Sequence, residues 1–301
     1  MKNLGYYLFV AANRIIEVVP MGLTRAVVHA GAFAYYYSFP GKRSIIKRNM
    51  RRALGPAVSE REVRKTARRA CRYYADYWVD VMRLPTLPRR YVLDHFETIG
   101  EEWLLKAIED GRGALVVLPH LGSWEAGAVY LSSLGPFGAV AEVLKPKKLF
   151  DLFVKLRAGV GIEIFPYDHR QQTRNKMIEA LGQGMMLALL CDRDMKGTGV
   201  EVEFFGERTT LPPGPAVMAL KSGSPILCVS VRNLDGDRWV GRATEPIYVE
   251  SGSARDAKVQ EVMQQVALRL EELIREDPAQ WHMFMPAWPS DRDKRTGTSD
   301  Q

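Results

Sequence analysis

A chain of 301 residues, 47% of them hydrophobic and 26% charged, has the length and apolar content of one α/β domain with a substantial core and an appended helical region. Its three cysteines, Cys71, Cys191 and Cys228, are odd in number and widely spaced, which argues against a disulfide-built secreted domain and for reduced thiols on a cytosolic face. The net charge of +7 is distributed unevenly, since residues 1–73 hold 15 Lys/Arg against 3 Asp/Glu, a pattern that marks a surface for something anionic, nucleic acid or membrane.

In chain order, two apolar and aromatic stretches come first, Tyr6 to Val19 and Ala26 to Phe39, and Lys42, Arg43, Lys47, Arg48, Arg51 and Arg52 follow them. Apolar and aromatic residues beside Lys/Arg predict interfacial helices with tyrosines at headgroup depth. Two core-packing helices are the alternative. Neither stretch reaches the roughly 20 uninterrupted apolar residues of a spanning helix, because Arg14, Glu17 and Pro20 break the first. The same breaks argue against a cleaved signal peptide. No recognised nucleic-acid motif accompanies the basic run, so a membrane surface is the expected partner rather than nucleic acid.

A helix over 59–82 opens on Ser59-Glu60-Arg61-Glu62, similar to a capping box, and Pro85 and Pro88 end it. Strands are then predicted at 96–99, 114–118, 138–142, 162–165, 186–190, 201–205, 226–232 and 239–249. Helices are predicted at 101–110, 123–134, 147–158, 171–182, 213–222 and 255–276. This alternation predicts an α/β fold with a mixed, mostly parallel central sheet flanked by helices. The expected organisation is an N-terminal amphipathic, membrane-associating region over 1–95, an α/β core over 96–290 and a disordered polar tail over 291–301.

The chemistry concentrates after Ala114 to Leu118, an apolar run bounded by Gly113 and Pro119. His120 leaves this buried strand at the mouth of a strand-to-helix loop. Ser123 is a natural N-cap for the next helix, and Glu125 sits in its first turn, where the helix dipole favours a carboxylate. If the loop folds back, Glu125 can bond one imidazole nitrogen and leave the other as a base for an alcohol. A lone histidine near an acid is more often a satisfied structural pair. Here the short loop and Gly122, where a ligand can approach the backbone, favour a functional reading. The second histidine of a zinc-protease helix is missing, so no metal is indicated.

Asp192, Arg193 and Asp194 emerge from the buried strand Met185 to Leu190, where open α/β sheets bind ligands. Arg193 offers a fork of donors to a phosphate, or the three form an internal ion cluster. Glu201 and Glu203 share one strand face and either bond sugar hydroxyls or face solvent on an edge strand. Glu142, Lys145, Lys147 and Lys148 follow another strand, with Arg157 one or two helical turns on. No Walker or dinucleotide glycine pattern is present, so neither ATP nor NAD is indicated.

His120-Leu-Gly-Ser-Trp-Glu125 resembles the His-x4-Asp/Glu motif of the lysophospholipid acyltransferase superfamily. Asn49-Met-Arg-Arg-Ala-Leu54, Cys191 to Gly206, Leu211 to Leu220 and Trp281-His-Met-Phe-Met-Pro286 resemble, in order, further blocks of one branch. That branch holds the lipid A late acyltransferases and the phosphatidylinositol mannoside acyltransferases, and the resemblance covers nearly the whole chain. The wording around Asp192-Arg193-Asp194 and the Trp281 segment look more like the mannoside enzymes. Those enzymes usually place Asp where this chain has Glu125, whereas lipid A enzymes usually have Glu.

The resemblance implies a monotopic enzyme on the cytoplasmic face of the cell membrane. It would move a fatty acyl group from acyl-CoA, or acyl-carrier protein, to a hydroxyl of a membrane glycolipid, with a phosphatidylinositol mannoside as acceptor. His120 would be the base and Glu125 its orienting carboxylate, with Glu142 and Arg157 in the catalytic groove. Asp192, Arg193, Asp194, Glu201 and Glu203 would contact substrate, and Lys145, Lys147 and Lys148 the donor phosphates. Backbone N–H groups at the following helix start, or Arg157, would hold the oxyanion. Acyl-CoA is a co-substrate, and no cofactor or metal is expected. A lipid A-type acceptor is the alternative within the branch. A non-catalytic lipid-binding or lipid-transfer protein is the alternative outside it, and has no use for His120 paired with Glu125.

Overall fold

The computed structural model describes residues 4–143, 147–159, 161–167, 171–195, 197–235, 237–250 and 256–292. Seven strands form the main sheet: β1 (Phe96–Ile99), β2 (Ala114–Leu118), β3 (Phe137–Glu142), β4 (Ile162–Tyr167), β5 (Met186–Leu190), β8 (Ile226–Leu234) and β9 (Arg238–Ala243). Their spatial order is β1-β9-β8-β2-β5-β3-β4. Every pairing is parallel except β8 with β9, so the expected mixed, mostly parallel sheet is the one that forms. All five residues of β2 are buried, as a central strand covered on both faces requires.

Helices α6 (Glu101–Glu109), α7 (Trp124–Leu134), α8 (Lys147–Ala158), α9 (Gln171–Gly182), α10 (Gly214–Ser222) and α11 (Asp256–Glu276) flank the sheet near their expected positions. Two strand expectations need correction. Residues 207–211, unassigned in the sequence, are β7 (Glu207–Leu211), paired antiparallel with β6 (Val200–Phe204). The two-residue turn between them has Phe205 at φ 53° and Gly206 at φ 75°, the geometry of a type I′ hairpin. The strand expected over 239–249 stops at Ala243. Pro246 follows, with no N–H for a ladder, and Ile247 makes only an isolated bridge to Ile226.

Before the sheet come α1 (Leu4–Val18), α2 (Met21–Ser38), α3 (Pro40–Leu54), α4 (Glu60–Arg83) and α5 (Arg89–Asp94). Ser59 caps α4 as its sequence predicts, accepting from the Glu62 N–H at 3.2 Å. Ile46 and Met50 of α3 and Val63, Ala67, Ala70 and Cys71 of α4 share one buried cluster with Leu115, Val117 and Leu187 of the sheet. Two acids tie these helices down further. Asp80 accepts from Asn233 Nδ2 (2.8 Å) and Trp239 Nε1 (3.2 Å), and Asp237 pairs with both Arg25 and Arg83. α2 buries only Thr24 and Tyr36. Among the described residues, no helix is long and apolar enough to cross a membrane.

The basic run is less free than its sequence suggests. Arg52 pairs with Glu207 (2.8 Å) and Asp291 (3.1 Å) and lies 4.1 Å over the Trp288 ring. Arg48 reaches Asp291 at 3.3 Å, while Lys47 and Arg51 share Glu60. Asp291 is therefore no part of a disordered tail: it is 1% exposed in the short helix α12 (Pro289–Arg292), whose charge α3 neutralises. Residues 293–301 of the expected tail lie outside the described residues. All three cysteines are free and buried. Burial pushes Cys71 and Cys228 up to about 12 and Cys191 well above its ordinary range.

Candidate active site

The site follows from the register of β2 on β5, where Leu118 pairs with Leu190. His120 and Asp192 each stand two residues beyond their strand, side by side, and the Cys191 N–H donates to the Leu118 carbonyl at 3.0 Å to hold the two exits together. His120 Nδ1 lies 2.5 Å from Asp192 Oδ1, and Trp281 Nε1 donates to Asp192 Oδ2 at 2.8 Å. Burial alone would raise the Asp192 pKa. The charge and hydrogen bond of His120, the nearby Arg193 and the Trp281 N–H together outweigh it and hold the carboxyl well below the usual range.

The loop carrying His120 is clamped from two sides. The His282 N–H donates to the His120 carbonyl (2.7 Å), Gly122 N–H to Gln280 (3.0 Å) and Ser123 N–H to Val231 (3.2 Å). Gly122 has φ +58°, and a Cβ there would lie 2.0 Å from the Val231 carbonyl oxygen. Glycine is thus required for the loop to meet β8, not for a ligand to approach as its sequence context suggested. Ser123 occupies the N-cap position of α7 but makes no side-chain cap bond.

Glu125 does not orient His120. Its two oxygens face Arg157 of α8, at 2.5 Å from Nη2 and 3.3 Å from Nε, a side-on fork. The first turn of α7 carries Glu125 across to α8, while the end of β5 brings Asp192 to the imidazole. Burial works against the Arg157 charge, but Glu125 outweighs it and raises the guanidinium further. Burial, then Glu125, lifts Tyr77 well above a normal phenol.

His120 lines a cavity of about 320 Å³ with Tyr74, Tyr77 and Trp78 of α4, Trp124 of α7, Arg193, His282, Phe284 and Met285. Among the described residues its Nε2 makes no hydrogen bond, and no Ser, Thr or Cys lines the cavity. Such a site can take a proton from a hydroxyl, which must come from a bound molecule.

The Asp192-Arg193-Asp194 trio divides its labour. Asp192 serves His120, and Arg193 reaches the cavity. Asp194 instead accepts from the Gly199 N–H (2.5 Å) and the Thr210 hydroxyl (3.0 Å) and fixes the base of the β6–β7 hairpin. Glu201 and Glu203 are exposed on that hairpin, Glu201 facing Arg208 at 3.5 Å, so they do not join His120. Lys147 and Lys148 are exposed at the start of α8, Lys147 paired with Asp151 at 3.0 Å, and neither lines the cavity. The Glu142 side chain and the whole of Lys145 lie outside the described residues.

One cavity residue carried no signal of its own in the sequence. His282 is 3% exposed, and among the described residues neither ring nitrogen has a hydrogen-bond partner. Its ring stands 5.2 Å from both Tyr74 and Tyr77 and 5.7 Å from Trp124. Burial, reinforced by His120 and Arg193 and opposed by Asp192, pushes it down to about 3, so it is neutral near pH 7. Asn49 fixes this segment from the other end of the chain, donating to the carbonyls of Met283 (2.8 Å) and Met285 (3.0 Å). The early Asn49 block and the late Trp281 block are therefore one structural unit.

Comparison with known proteins gives the family. Residues 1–290 match the family described as bacterial lipid A biosynthesis acyltransferase. The chain is similar to the phosphatidylinositol mannoside acyltransferase of Mycolicibacterium smegmatis, 33% identical over 306 residues that cover 99% of this chain and 96% of that protein. It is also similar to the protein of the same name from Mycobacterium tuberculosis, 30% identical over 288 residues that cover 94% and 88%. A family match over residues 1–290, with relatives 33% and 30% identical along nearly the whole chain, shows that the chain is an acyltransferase and belongs to the bacterial lipid A biosynthesis acyltransferase family.

Proposed function

We propose that this acyltransferase moves a fatty acyl group from acyl-CoA to a hydroxyl of a membrane glycolipid, a mannose of a phosphatidylinositol mannoside. The observation that carries the reading is the Asp192–His120 pair opening on an aromatic cavity with no protein nucleophile. The names of the two mycobacterial relatives support the acceptor class. The acceptor oxygen attacks the thioester carbonyl as Nε2 of His120 takes its proton, and Asp192 stabilises the imidazolium that forms. The tetrahedral oxyanion lies at the start of α7, whose first-turn N–H groups at Trp124 and Glu125 have no intrahelical acceptor. Collapse expels the thiolate of coenzyme A, and the imidazolium returns the proton to it. No acyl-enzyme is formed.

The enzyme meets this acceptor as a peripheral protein on the cytoplasmic face of the cell membrane. Tyr7, Ile15 and Val18 of α1 and Leu23, Val27, Phe33 and Tyr37 of α2 are exposed, which suits burial in an interface. Incubation with labelled palmitoyl-CoA and a panel of mannosides, lipid A precursors and lysophospholipids tests the assignment. Transfer to the mannosides is expected. Transfer to lipid A precursors alone reassigns the acceptor, and transfer only from acyl-carrier protein reassigns the donor. High salt or alkaline carbonate should release the protein from membranes, and release by detergent alone contradicts peripheral attachment.

A further inference from the structure

A second and larger cavity, about 580 Å³, opens where α2, α3 and α4 meet. α2 runs antiparallel to α4: His29 pairs with Asp76 at 2.6 Å, and Arg25 and Arg83 meet on Asp237. The C-terminal end of α2 thus brings Tyr36 and Tyr37 opposite the N-terminal half of α4. Arg61, Arg64 and Arg68 line the cavity from α4, and Arg43 and Lys47 line it from α3. No acid lines it.

Four of these five cations, all but Lys47, differ from their neighbours. Arg48, Arg51 and Arg52 on the same helices are neutralised by Asp291, Glu60 and Glu207. Arg61, Arg64 and Arg68 are exposed and form no ion pair among the described residues. The Arg43 side chain donates to the Tyr37 carbonyl (3.5 Å) and lies over the Tyr36 ring, 5.8 Å from its centroid. Lys47 shares the surface residue Glu60. Five cations around one concavity repel each other and focus a positive field into it. A phosphate relieves that repulsion and matches the guanidinium forks.

We infer that this cavity is a second ligand site, which receives the phosphate of an anionic membrane phospholipid. A lipid is favoured over a soluble phosphate by what adjoins the cavity. Leu23, Val27, Phe33 and Tyr37 are 57%, 63%, 62% and 47% exposed along one side of α2. This apolar stripe ends at Tyr37, which also lines the cavity and whose tilted ring has its centroid 4.6 Å from that of Phe33. Hydrocarbon contact along the stripe and phosphate contact at its end are the two halves of a phospholipid at an interface. The site is separate from the catalytic one but rides on the same helix, with Arg68 about 9 Å of helix rise from Tyr74. A bound headgroup would therefore fix α4, and with it Tyr74, Tyr77 and Trp78, at a set height above the membrane.

The inference rests on the peripheral-membrane part of the proposed function and is independent of the acceptor. The full chain is tested by co-sedimentation with phosphatidylcholine vesicles, with and without phosphatidylglycerol, at near-physiological salt. Arg61→Gln/Arg64→Gln/Arg68→Gln should weaken binding to the anionic vesicles by about tenfold or more. The charge-matched control Arg90→Gln/Lys106→Gln/Lys221→Gln, exposed cations elsewhere, should not. The Arg→Lys triple at 61, 64 and 68 should recover most of the binding, which also reports folding. Equal losses in the two Gln triples mean that net charge alone attracts the membrane, and overturn the site. Dihexanoyl-phosphatidylglycerol below its micellar concentration should compete, and inorganic phosphate competing equally well would overturn the lipid assignment. If the unaltered chain binds anionic vesicles and the cavity triple binds them as well, the inference fails and the membrane reading stands. If the unaltered chain binds no vesicle, both fail.

Discussion

His120 Nδ1 and Asp192 Oδ1 lie 2.5 Å apart although 72 residues separate them in the chain. Two parallel strands in direct register, Leu118 beside Leu190, deliver both side chains to the same sheet edge. The pair needs no folded-back loop, and its carboxylate is held in place by the Trp281 N–H. The imidazole is thus oriented from the sheet.

Asp192→Asn should lower transfer by on the order of 10²–10⁴, because the imidazolium loses its counter-charge and the ring its preferred tautomer. His120→Ala should cost at least as much, and the double variant no more than His120→Ala alone. Single-turnover rates at saturating acyl donor measure this. Near-normal rates in a folded Asp192→Asn protein would remove the carboxylate from the mechanism.

Glu125 and Arg157 should behave as one unit. Glu125→Gln and Arg157→Gln each break the fork and should each lower transfer. Glu125→Asp keeps the charge and should retain part of the activity. A double-mutant cycle on kcat/KM is expected to show a double variant little worse than either single variant, with a coupling of about 0.5–3 kcal/mol. Strict additivity would mean that the two residues act separately.

The neutral His282 makes the fold acid-sensitive. Its folded pKa of about 3 is below the ordinary 6.5, so between these values the unfolded chain binds a proton that the native chain does not. Stability should fall as pH drops from about 6.5 toward 3. Asp192 acts in a lower window, losing its contribution only as pH falls below its ordinary 3.8. His282→Phe should flatten the stability profile between pH 6 and pH 4, measured by urea unfolding at each pH; an unchanged slope there would exclude His282 as its source.

Asn49→Ala should destabilise the protein by about 1–3 kcal/mol, the cost of leaving buried carbonyls at Met283 and Met285 without a donor. Because Met285 and its neighbour Phe284 line the cavity, KM should also rise. Asn49→Asp, which replaces the donor by an acceptor, should be worse than Asn49→Ala. Equal melting temperatures for Asn49→Ala and the unaltered chain would show that water replaces the amide.

Local pattern in the sequence was enough for the elements that build the site. The uninterrupted apolar run of β2, the capping serine of α4 and the strand–helix alternation led to the parallel sheet and put His120 and Asp192 at strand exits, because buried parallel strands and capped helices carry their signal in neighbouring residues. β7 escaped that reading, since Glu-Arg-Thr-Thr-Leu is polar and its hairpin is marked only by Phe205-Gly206. The identity of the orienting carboxylate was beyond it altogether. Four residues separate His120 from Glu125, but His120 precedes the helix, so helical spacing says nothing about their contact. Only strand order, which places β5 beside β2, decided that Asp192 serves the imidazole and Glu125 serves Arg157. The same holds for charge. Residues 1–73 determine by count that the region is basic, but the fold neutralises Arg48 and Arg52 with Asp291 and Glu207 from distant segments and, among the described residues, leaves Arg61, Arg64 and Arg68 without an ion pair. Composition fixes how many charges a chain carries, and long-range packing decides which of them remain available.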